Sequence, residues 1–252
     1  MRTSHQSGVS LIELMIGLVV GLVVVVAAMG SLVYTRTASR VMGDSTRLQQ
    51  DASTAFRSIG QIVRQAGARQ LVDATGGTVN FNPQYAGIEV NASTLQPVAI
   101  KGTDGVFNKP DTLVIDRDNT LNVDSADCVG DEVNTGTSIK NTFSVNAGTL
   151  ECDGSGKSPG GYGLMVGVED FQIWYGLREG EGLRYTTASA LSKISPAPWD
   201  QIEAVRVCLR LAGELTDHQS AATLGCQGET IQNDGRLRRV FFRVFKLRNA
   251  GL

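Results

Sequence analysis

An uncharged run of 20 residues, Leu14–Val33, constrains this 252-residue chain more than any other feature. A helix rises about 1.5 Å per residue, so a run of this length matches the roughly 30 Å hydrocarbon core of a bilayer. One carboxylate, Glu13, stands directly before the run. A charged side chain that enters the hydrocarbon costs about 2.5–3.5 kcal/mol on insertion scales. Glu13 therefore needs a partner or a function.

The residues around Glu13 resemble the leader of type IV prepilins and of the related type II secretion pseudopilins. The short polar stretch Met1–Gly8 ends in glycine, Glu13 is the fifth residue after that glycine, and the apolar run follows. In this family a peptidase cuts after the glycine and methylates the new N-terminus. The resemblance implies cleavage between Gly8 and Val9, N-methylation of Val9 and an assembly role for Glu13. Val9 replaces the commoner Phe or Met of the family.

Two other interpretations of this segment are a secretory signal peptide and an ordinary membrane anchor. A signal peptide has an apolar core of about 7–15 residues and a cleavage site of the Ala-x-Ala kind. The run here is longer, follows a glutamate and precedes no such site. An uncleaved single-span anchor remains the alternative to a prepilin.

Apolar or small residues continue beyond the run at steps of three and four, the pattern of a helix with one buried face. They are Leu48, Ala52, Ala55, Phe56, Ile59, Val63 and Ala66. No proline occurs before Pro83, so we predict one helix from about Ser10 to Gln70, roughly 90 Å long at the standard rise. The resemblance implies a pilin spine, whose first half packs between subunits and whose second half lies on its own head.

The rest of the chain has the composition and patterns of a β-rich domain. Glycine makes up 29 of the 252 residues, above the usual ~7 %, which favours turns and long loops. Strand patterns occur at Thr112–Asp116, on both sides of Asn146-Ala147-Gly148, and at Leu164–Val168, Phe171–Tyr175, Ile202–Leu211 and Arg238–Leu247, with shorter edge strands at Gly87–Val90 and Val98–Ile100. Arg238–Leu247 is apolar on both faces, so we expect it inside a sheet. A long helix followed by strands predicts an α+β fold with an antiparallel sheet.

All the cysteines follow the apolar run: Cys128, Cys152, Cys208 and Cys226. In the prepilin family the leader faces the cytoplasm, which implies that the chain beyond the run lies in the oxidising periplasm. An even number of cysteines in that compartment favours disulfides. Of three possible pairings we favour the sequential one, Cys128–Cys152 and Cys208–Cys226. Each bond then closes a loop of about 20 residues and is worth roughly 3 kcal/mol.

Three stretches of the second half resemble minor pilins of the PilW type: Val166–Gly176, Ala204–Leu209 and Asp234–Asn249. The resemblance implies the type IV pilin fold and a low-abundance subunit of the minor-pilin complex that primes pilus assembly. That complex supports twitching motility and adhesion. The alternative is the J-type minor pseudopilin of a type II secretion system, which has a similar head.

The resemblance also implies a division of the chain and a set of partners. Residues 1–8 form the cleaved leader, 9–33 the transmembrane and assembly helix, 34–70 its amphipathic continuation and 71–252 a periplasmic head. The implied partners are other minor pilins and the major pilin through the N-terminal helix, the prepilin peptidase, a tip adhesin, and inner-membrane lipid before assembly. After assembly the subunit belongs to the extracellular pilus.

The sequence contains no hydrolase, metalloprotease or phosphate-loop motif, and its two histidines, His5 and His218, have no partner residues nearby, so we predict no enzymatic activity and no required cofactor. One acidic stretch is a candidate calcium site, because calcium prefers oxygen ligands: Asp124, Asp127, Asp131 and Glu132. A solvated acidic loop is the more ordinary interpretation.

The C-terminal strand carries a basic set: Arg236, Arg238, Arg239, Arg243, Lys246 and Arg248. The net charge of −2 argues against a dedicated nucleic-acid-binding protein, which usually has a basic domain. We therefore expect charged strand flanks and a subunit interface here, and DNA binding is disfavoured.

Overall fold

The computed structural model describes residues 10–68, 71–74, 78–81, 88–91, 93–94, 96–106, 109–119, 126–134, 136–156, 160–216 and 222–249. The helices are α1 (Leu11–Gln65) and α2 (Ala188–Ser192). The strands are β1 (Leu71–Ala74), β2 (Thr78–Phe81), β3 (Ile100–Thr103), β4 (Thr112–Arg117), β5 (Ile139–Asn146), β6 (Thr149–Gly154), β7 (Tyr162–Val166), β8 (Val168–Glu179), β9 (Gly182–Thr186), β10 (Ile202–Ala212), β11 (Thr223–Leu224), β12 (Thr230–Ile231) and β13 (Arg238–Lys246). The chain divides into two compact units, one up to Thr46 and one from Arg47 onward.

Helix α1 ends at Gln65, earlier than the end near Gln70 that the sequence pattern predicted. The reason is Gly67, whose φ of 64° lies in the left-handed region where glycine ends helices without steric cost. The backbone N–H of Gly67 donates to the carbonyl of Asp116 on β4 over 2.9 Å. Gly67, just after the end of the helix, is thus hydrogen-bonded to a strand of the head.

From Arg47 onward α1 belongs to the second unit and buries one face. The seven apolar or small residues that the three- and four-residue spacing selected, from Leu48 to Ala66, are all buried. They join one hydrophobic cluster with side chains from β3 to β8, β10 and β13. The predicted amphipathic helix is confirmed, and its burial follows from a stripe of apolar residues along one face.

A four-stranded antiparallel sheet has the order β13-β10-β8-β9. Strand β10 lies in its interior and pairs along most of its length with both β8 and β13. Strand β13 lies at the edge, so the prediction that it is an interior strand was wrong. Its apolar residues differ in surroundings: Phe245 is buried, whereas Phe242 and Val244 are 45 % and 51 % exposed. Apolar residues on both faces therefore marked an exposed surface rather than a second buried one.

A five-stranded antiparallel sheet has the order β3-β4-β5-β6-β7. The predicted hairpin is present: β5 and β6 are joined by Ala147 and Gly148, whose φ values are 46° and 78°. The predicted break at Glu169-Asp170 was wrong, because the chain changes sheets at Gly167, where φ is 81°. Val98 precedes β3 rather than lying in it, and Val90 forms only an isolated bridge with Pro97.

Shorter hairpins, β1–β2 and β11–β12, complete the strand pairing among the described residues. Every pair there is antiparallel. One long helix followed by an antiparallel β-rich head confirms the predicted α+β class.

Candidate functional site: an assembly segment and the surfaces of the head

Glu13 lies in the first turn of α1, at the start of an apolar surface. The large apolar side chains from Leu11 to Tyr34 are each 49–78 % exposed within this chain. Burying one such side chain is worth about 1.5–3 kcal/mol, so this surface belongs in lipid or against other helices. The helix is long and apolar enough to cross a membrane, on the criteria of length and composition alone. Gly8 and Val9, the predicted cleavage and methylation residues, lie outside the described residues.

The N-terminal end of α1 gives Glu13 only part of the stabilisation that it needs. A carboxylate in the first turn of a helix gains about 0.3–1 kcal/mol from the helix dipole. That gain is smaller than the roughly 2.5–3.5 kcal/mol cost of a charge inside hydrocarbon. Among the described residues none forms an ion pair with Glu13. A partner charge for Glu13 inside an apolar environment has to come from elsewhere.

Three glycines within the apolar segment, Gly17, Gly21 and Gly30, have open space around them. Apart from the adjoining residues and the nearby backbone of the helix itself, a Cβ placed on any of them meets no atom of a described residue within 4 Å. No contact with a described residue therefore requires glycine at these positions. Close approach between helices of different subunits is one use of such residues.

Two disulfides join elements of the head, Cys128–Cys152 and Cys208–Cys226, with Cα–Cα distances of 6.3 and 5.9 Å. This is the sequential pairing. The first bond attaches the loop before β5 to β6, and the second attaches the turn between β11 and β12 to the interior strand β10. Cys152 and Cys208 are fully buried, so each bond fastens a loop to the core.

The acidic loop uses Asp127 to hold its own turn. Oδ1 of Asp127 accepts hydrogen bonds from the backbone N–H groups of Val129 and Asp131, at 2.9 and 3.0 Å. Oδ2 accepts one from Gly156 at 2.8 Å. Among the described residues no group of three or more His, Cys, Asp or Glu side chains is arranged to hold a metal. Asp124 lies outside those residues, so the calcium site at Asp124, Asp127, Asp131 and Glu132 stays a prediction.

The basic set of the C-terminal strand separates into paired and unpaired members. The guanidinium of Arg238 donates to both carboxylate oxygens of Glu169, at 2.7 and 2.9 Å, and to both of Asp234, at 2.6 and 2.7 Å. These hydrogen bonds lower the pKa of Asp234 and raise that of Arg238. Arg210 joins the network through Glu169, at 3.4 Å, and it also pairs with Glu229, at 2.7 Å. Arg238 is therefore already neutralised within the chain.

Arg206 is held differently from Arg238. Its guanidinium lies 4.6 Å from the ring centre of Phe242 and 5.3 Å from that of Trp174, on the exposed face of β10. It lines an open cavity of about 610 Å³ together with Asp104 and Gln172. Contacts of this kind between a cation and an aromatic ring are worth about 0.5–1 kcal/mol at exposed sites.

The acidic groups near that cavity have structural hydrogen bonds. Asp104 accepts from the backbone N–H groups of Ala188 and Ser189, at 2.9 and 2.8 Å, which caps α2. Asp111, which is 3 % exposed, accepts from the N–H groups of Gly105 and Ile173, both at 2.8 Å. Burial raises the pKa of Asp111 to about 6, although those two hydrogen bonds oppose the shift. Sequence reasoning did not find Asp111, since it shows no special pattern before the strands fold around it.

Two family models match this chain. The model described as Type IV Pilus-assembly protein W matches residues 133–249, from the loop before β5 through β13. This part of the chain is similar to the PilW family. The model described as Prokaryotic N-terminal methylation motif matches residues 3–29, which include Gly8, Val9 and Glu13. The predicted resemblance to PilW-type minor pilins is confirmed.

Solved structures and curated proteins carry no part of this assignment. A type IV-like pilin from Thermus thermophilus is similar at 14 % sequence identity with a TM-score of 0.46, and the match covers 82 % of this chain and 98 % of that one. No curated protein matches the chain. Pilins are structural proteins rather than enzymes, and they contact other pilus components and the prepilin peptidase. The apolar helix and the methylation motif are consistent with membrane anchoring and incorporation into a pilus.

Proposed function

We propose that this chain, whose residues 133–249 match the PilW model, is a minor pilin of the complex that primes type IV pilus assembly, and so supports twitching motility and adhesion. The observation that carries the proposal is Glu13, which starts an exposed apolar helix within a matched methylation motif. The PilW match in the head favours a pilus subunit over a J-type pseudopilin of type II secretion.

In this proposal the chain has four functional parts. Residues 1–8 are removed by the prepilin peptidase, 9–33 anchor the precursor in the inner membrane and later pack in the pilus, 34–70 continue the helix, and 71–252 form the periplasmic head. The two disulfides support an oxidising compartment for the head, since such bonds persist outside the cytosol.

Assembly follows from charge compensation in an apolar environment. Cleavage after Gly8 exposes the amine of Val9, which the peptidase methylates. The carboxylate of Glu13 then pairs with the N-terminal amine of a neighbouring pilin. Breaking a buried ion pair by removing one partner costs about 3–5 kcal/mol, because the remaining charge is uncompensated. The pair thus selects one axial register between neighbouring helices.

Mass spectrometry of the N-terminus tests the first step. We expect protein from a piliated host to begin at methylated Val9, and Gly8→Ile to retain Met1. Wild-type protein that keeps Met1, or that begins away from Val9, would refute the prepilin assignment and leave an ordinary membrane anchor.

A substitution at Glu13 tests the assembly step. We expect Glu13→Gln to be cleaved normally yet lost from sheared pili by at least about tenfold, as a cost above 1.4 kcal/mol requires. The matched control is Glu181→Gln in the exposed turn between β8 and β9. Equal incorporation of Glu13→Gln and the control would show that Glu13 is not the assembly charge.

Assays of secretion and of motility distinguish a type IV pilus subunit from a type II secretion pseudopilin. Deletion of the gene should abolish surface pili and twitching while leaving the export of type II substrates unchanged. The opposite result would assign the chain to the secretion system.

A further inference from the structure

The edge of β13 borders a groove that has no part in the assembly role proposed for Glu13 and the apolar half of α1. The groove has a volume of about 380 Å³ and lies between α1 and β13, within the second unit. It is lined by Ser53, Phe56, Arg57, Arg64, Arg243, Val244 and Phe245. The lining contains three arginines and no carboxylate.

These arginines lack the acidic partners that Arg238 and Arg210 have. Arg57 and Arg64 are exposed and form no ion pair with any described residue. Arg243 lies over the ring of Phe56, 5.8 Å from its centre, and likewise forms no ion pair there. Three cations without a carboxylate in the same lining make this groove locally positive, although the chain as a whole has a net charge of −2. Such a concentration is complementary to an acidic partner.

Along its other side, among the described residues, β13 has no paired strand. Its ladder to β10 covers one edge from Arg238 to Lys246, and the sheet ends with β13. An unpaired strand edge offers a row of backbone donors and acceptors to another extended chain. Phe242 and Val244 are half-exposed beside this edge, on the face that Arg206 shares. The edge therefore combines free backbone groups, an apolar face and a cationic face.

We propose that the β13 edge binds an extended segment of a partner protein in which acidic and apolar residues alternate. Side chains of a strand point alternately to opposite faces. A strand added to β13 places one set of side chains beside the groove of Arg57, Arg64 and Arg243, and the other set beside Phe242 and Val244. Acidic residues suit the first set and apolar residues the second. This surface belongs to the head and does not depend on cleavage after Gly8.

A polypeptide fits these observations better than a nucleic acid. Phosphates can pair with the three arginines, but they cannot satisfy the alternating donors and acceptors of a strand edge. The half-exposed Phe242 and Val244 also call for apolar contact. Two of the basic residues nearest in sequence, Arg236 and Arg238, are already in ion pairs with Glu169. DNA is therefore an alternative outcome of the test rather than the expected ligand.

The test uses the full chain in detergent micelles and labelled seven-residue peptides, with binding followed by fluorescence anisotropy. The first peptide alternates Glu and Val, the second has the same residues in two blocks, and the third alternates Lys and Val. We expect the alternating acidic peptide to bind most tightly. Hydrogen exchange should slow across residues 238–246 when it is bound.

Charge reversal identifies the surface. The variant Arg57→Glu/Arg64→Glu/Arg243→Glu should weaken binding by about tenfold or more, since it removes three exposed cations and places three like charges beside an acidic peptide. The corresponding Gln variant should bind with an affinity between those of the wild type and the Glu variant. It still tests the surface if charge reversal disturbs folding. The matched control is Arg184→Glu on β9, the opposite edge of the same sheet, where the arginine is paired with Glu179.

Several results would overturn the proposal. Equal affinity for the alternating and block peptides would show attraction by charge without strand pairing. Absence of binding, or an Arg184→Glu effect as large as that of the triple variant, would remove the β13 edge as the site. Tighter binding of a 20-base-pair DNA duplex than of the peptide would assign the arginines to nucleic acid.

Discussion

Replacing Tyr175 by Phe should stabilise this protein, in contrast to the usual effect of removing a tyrosine hydroxyl. Tyr175 is 1 % exposed, and its ring meets that of Trp199 edge-on at a centre distance of 5.0 Å. The hydroxyl has no hydrogen-bond partner among the described residues. Burial also raises the pKa of Tyr175, so the group stays neutral. An unpaired buried hydroxyl retains its desolvation cost without a compensating bond.

The magnitude follows from that cost and from the room around the hydroxyl. Leaving a buried polar group unsatisfied costs about 1–3 kcal/mol, whereas loss of one oxygen removes few packing contacts. We expect Tyr175→Phe to raise the free energy of unfolding by about 1 kcal/mol. The hydroxyl occupies space that Gly102 leaves free, since a Cβ on Gly102 would lie 1.9 Å from it and 2.4 Å from the carbonyl of Thr112.

Gly102→Ala supplies the second half of a double-mutant cycle. Alone it should cost about 3 kcal/mol or more, because overpacking forces both the ring and the backbone to move. Combined with Tyr175→Phe it should cost less, because the nearest ring atom is then 3.1 Å away, although the Thr112 carbonyl still obstructs the new methyl group. We expect a coupling of about 1 kcal/mol, within the usual range for residues in contact.

Urea unfolding of the full chain in micelles, followed by tryptophan fluorescence, measures these differences. Tyr162→Phe is the control, since Tyr162 is 62 % exposed and should change stability by less than about 0.5 kcal/mol. A loss of 1 kcal/mol or more in Tyr175→Phe would show that the hydroxyl has a strong partner, such as bound water. Strict additivity with Gly102→Ala would contradict the proposed contact.

Three further predictions use the same unfolding measurement. Gly60→Ala should lower the free energy of unfolding by about 1 kcal/mol despite the better helix propensity of alanine, because its Cβ would lie 2.6 Å from the Phe245 ring. In a Phe245→Leu background the same substitution should instead stabilise the fold, and a stabilising effect of Gly60→Ala alone would contradict the contact. The pKa of Asp111 is raised to about 6 in the folded state, so its contribution to stability is complete below pH ~4 and is lost as the pH rises through 6, on the order of 3 kcal/mol in total. Asp111→Asn should flatten the dependence of the unfolding free energy on pH, and equal pH profiles of the variant and the wild type would refute this prediction. Cys208→Ser with Cys226→Ser should cost about 3 kcal/mol. Added reductant should destabilise the wild type more than this variant, which loses only the Cys128–Cys152 bond, and an unchanged urea midpoint of the variant without reductant would show that the Cys208–Cys226 bond is not stabilising.

The sequence predicted those parts of the fold that depend on local pattern. The three- and four-residue spacing identified the buried stripe of α1, and the alternation in Ile202–Leu211 identified β10. Both succeed because the side-chain period of a helix or strand decides which residues share a face. The hairpin between β5 and β6 follows equally from its turn residues.

Errors arose where the position in the sheet depends on distant residues. The apolar residues on both faces of β13 do not indicate whether a further strand pairs with it, because that depends on the order of β13, β10 and β8 in the sheet. The chain changes sheets at Gly167, which has a positive φ. The sequence pattern instead indicated an interruption at the charged pair Glu169-Asp170. The buried carboxylate of Asp111 accepts a hydrogen bond from Ile173 on β8, 62 positions further along the chain, so its surroundings depend on distant residues.

The arginines show how the fold gives equal charges different uses. Arg238 makes two bidentate pairs and has little positive charge left to offer a partner. Arg243 is five residues further along the same strand, yet it points to an aromatic ring and a groove with no carboxylate. The difference arises because the side chains of β13 alternate between two faces. Arg238 lies on the face with acidic neighbours near the start of the strand, and Arg243 lies on the face beside α1. A basic sequence cluster is thus divided by strand geometry into structural ion pairs and a free cationic surface, and only the second can recognise a partner.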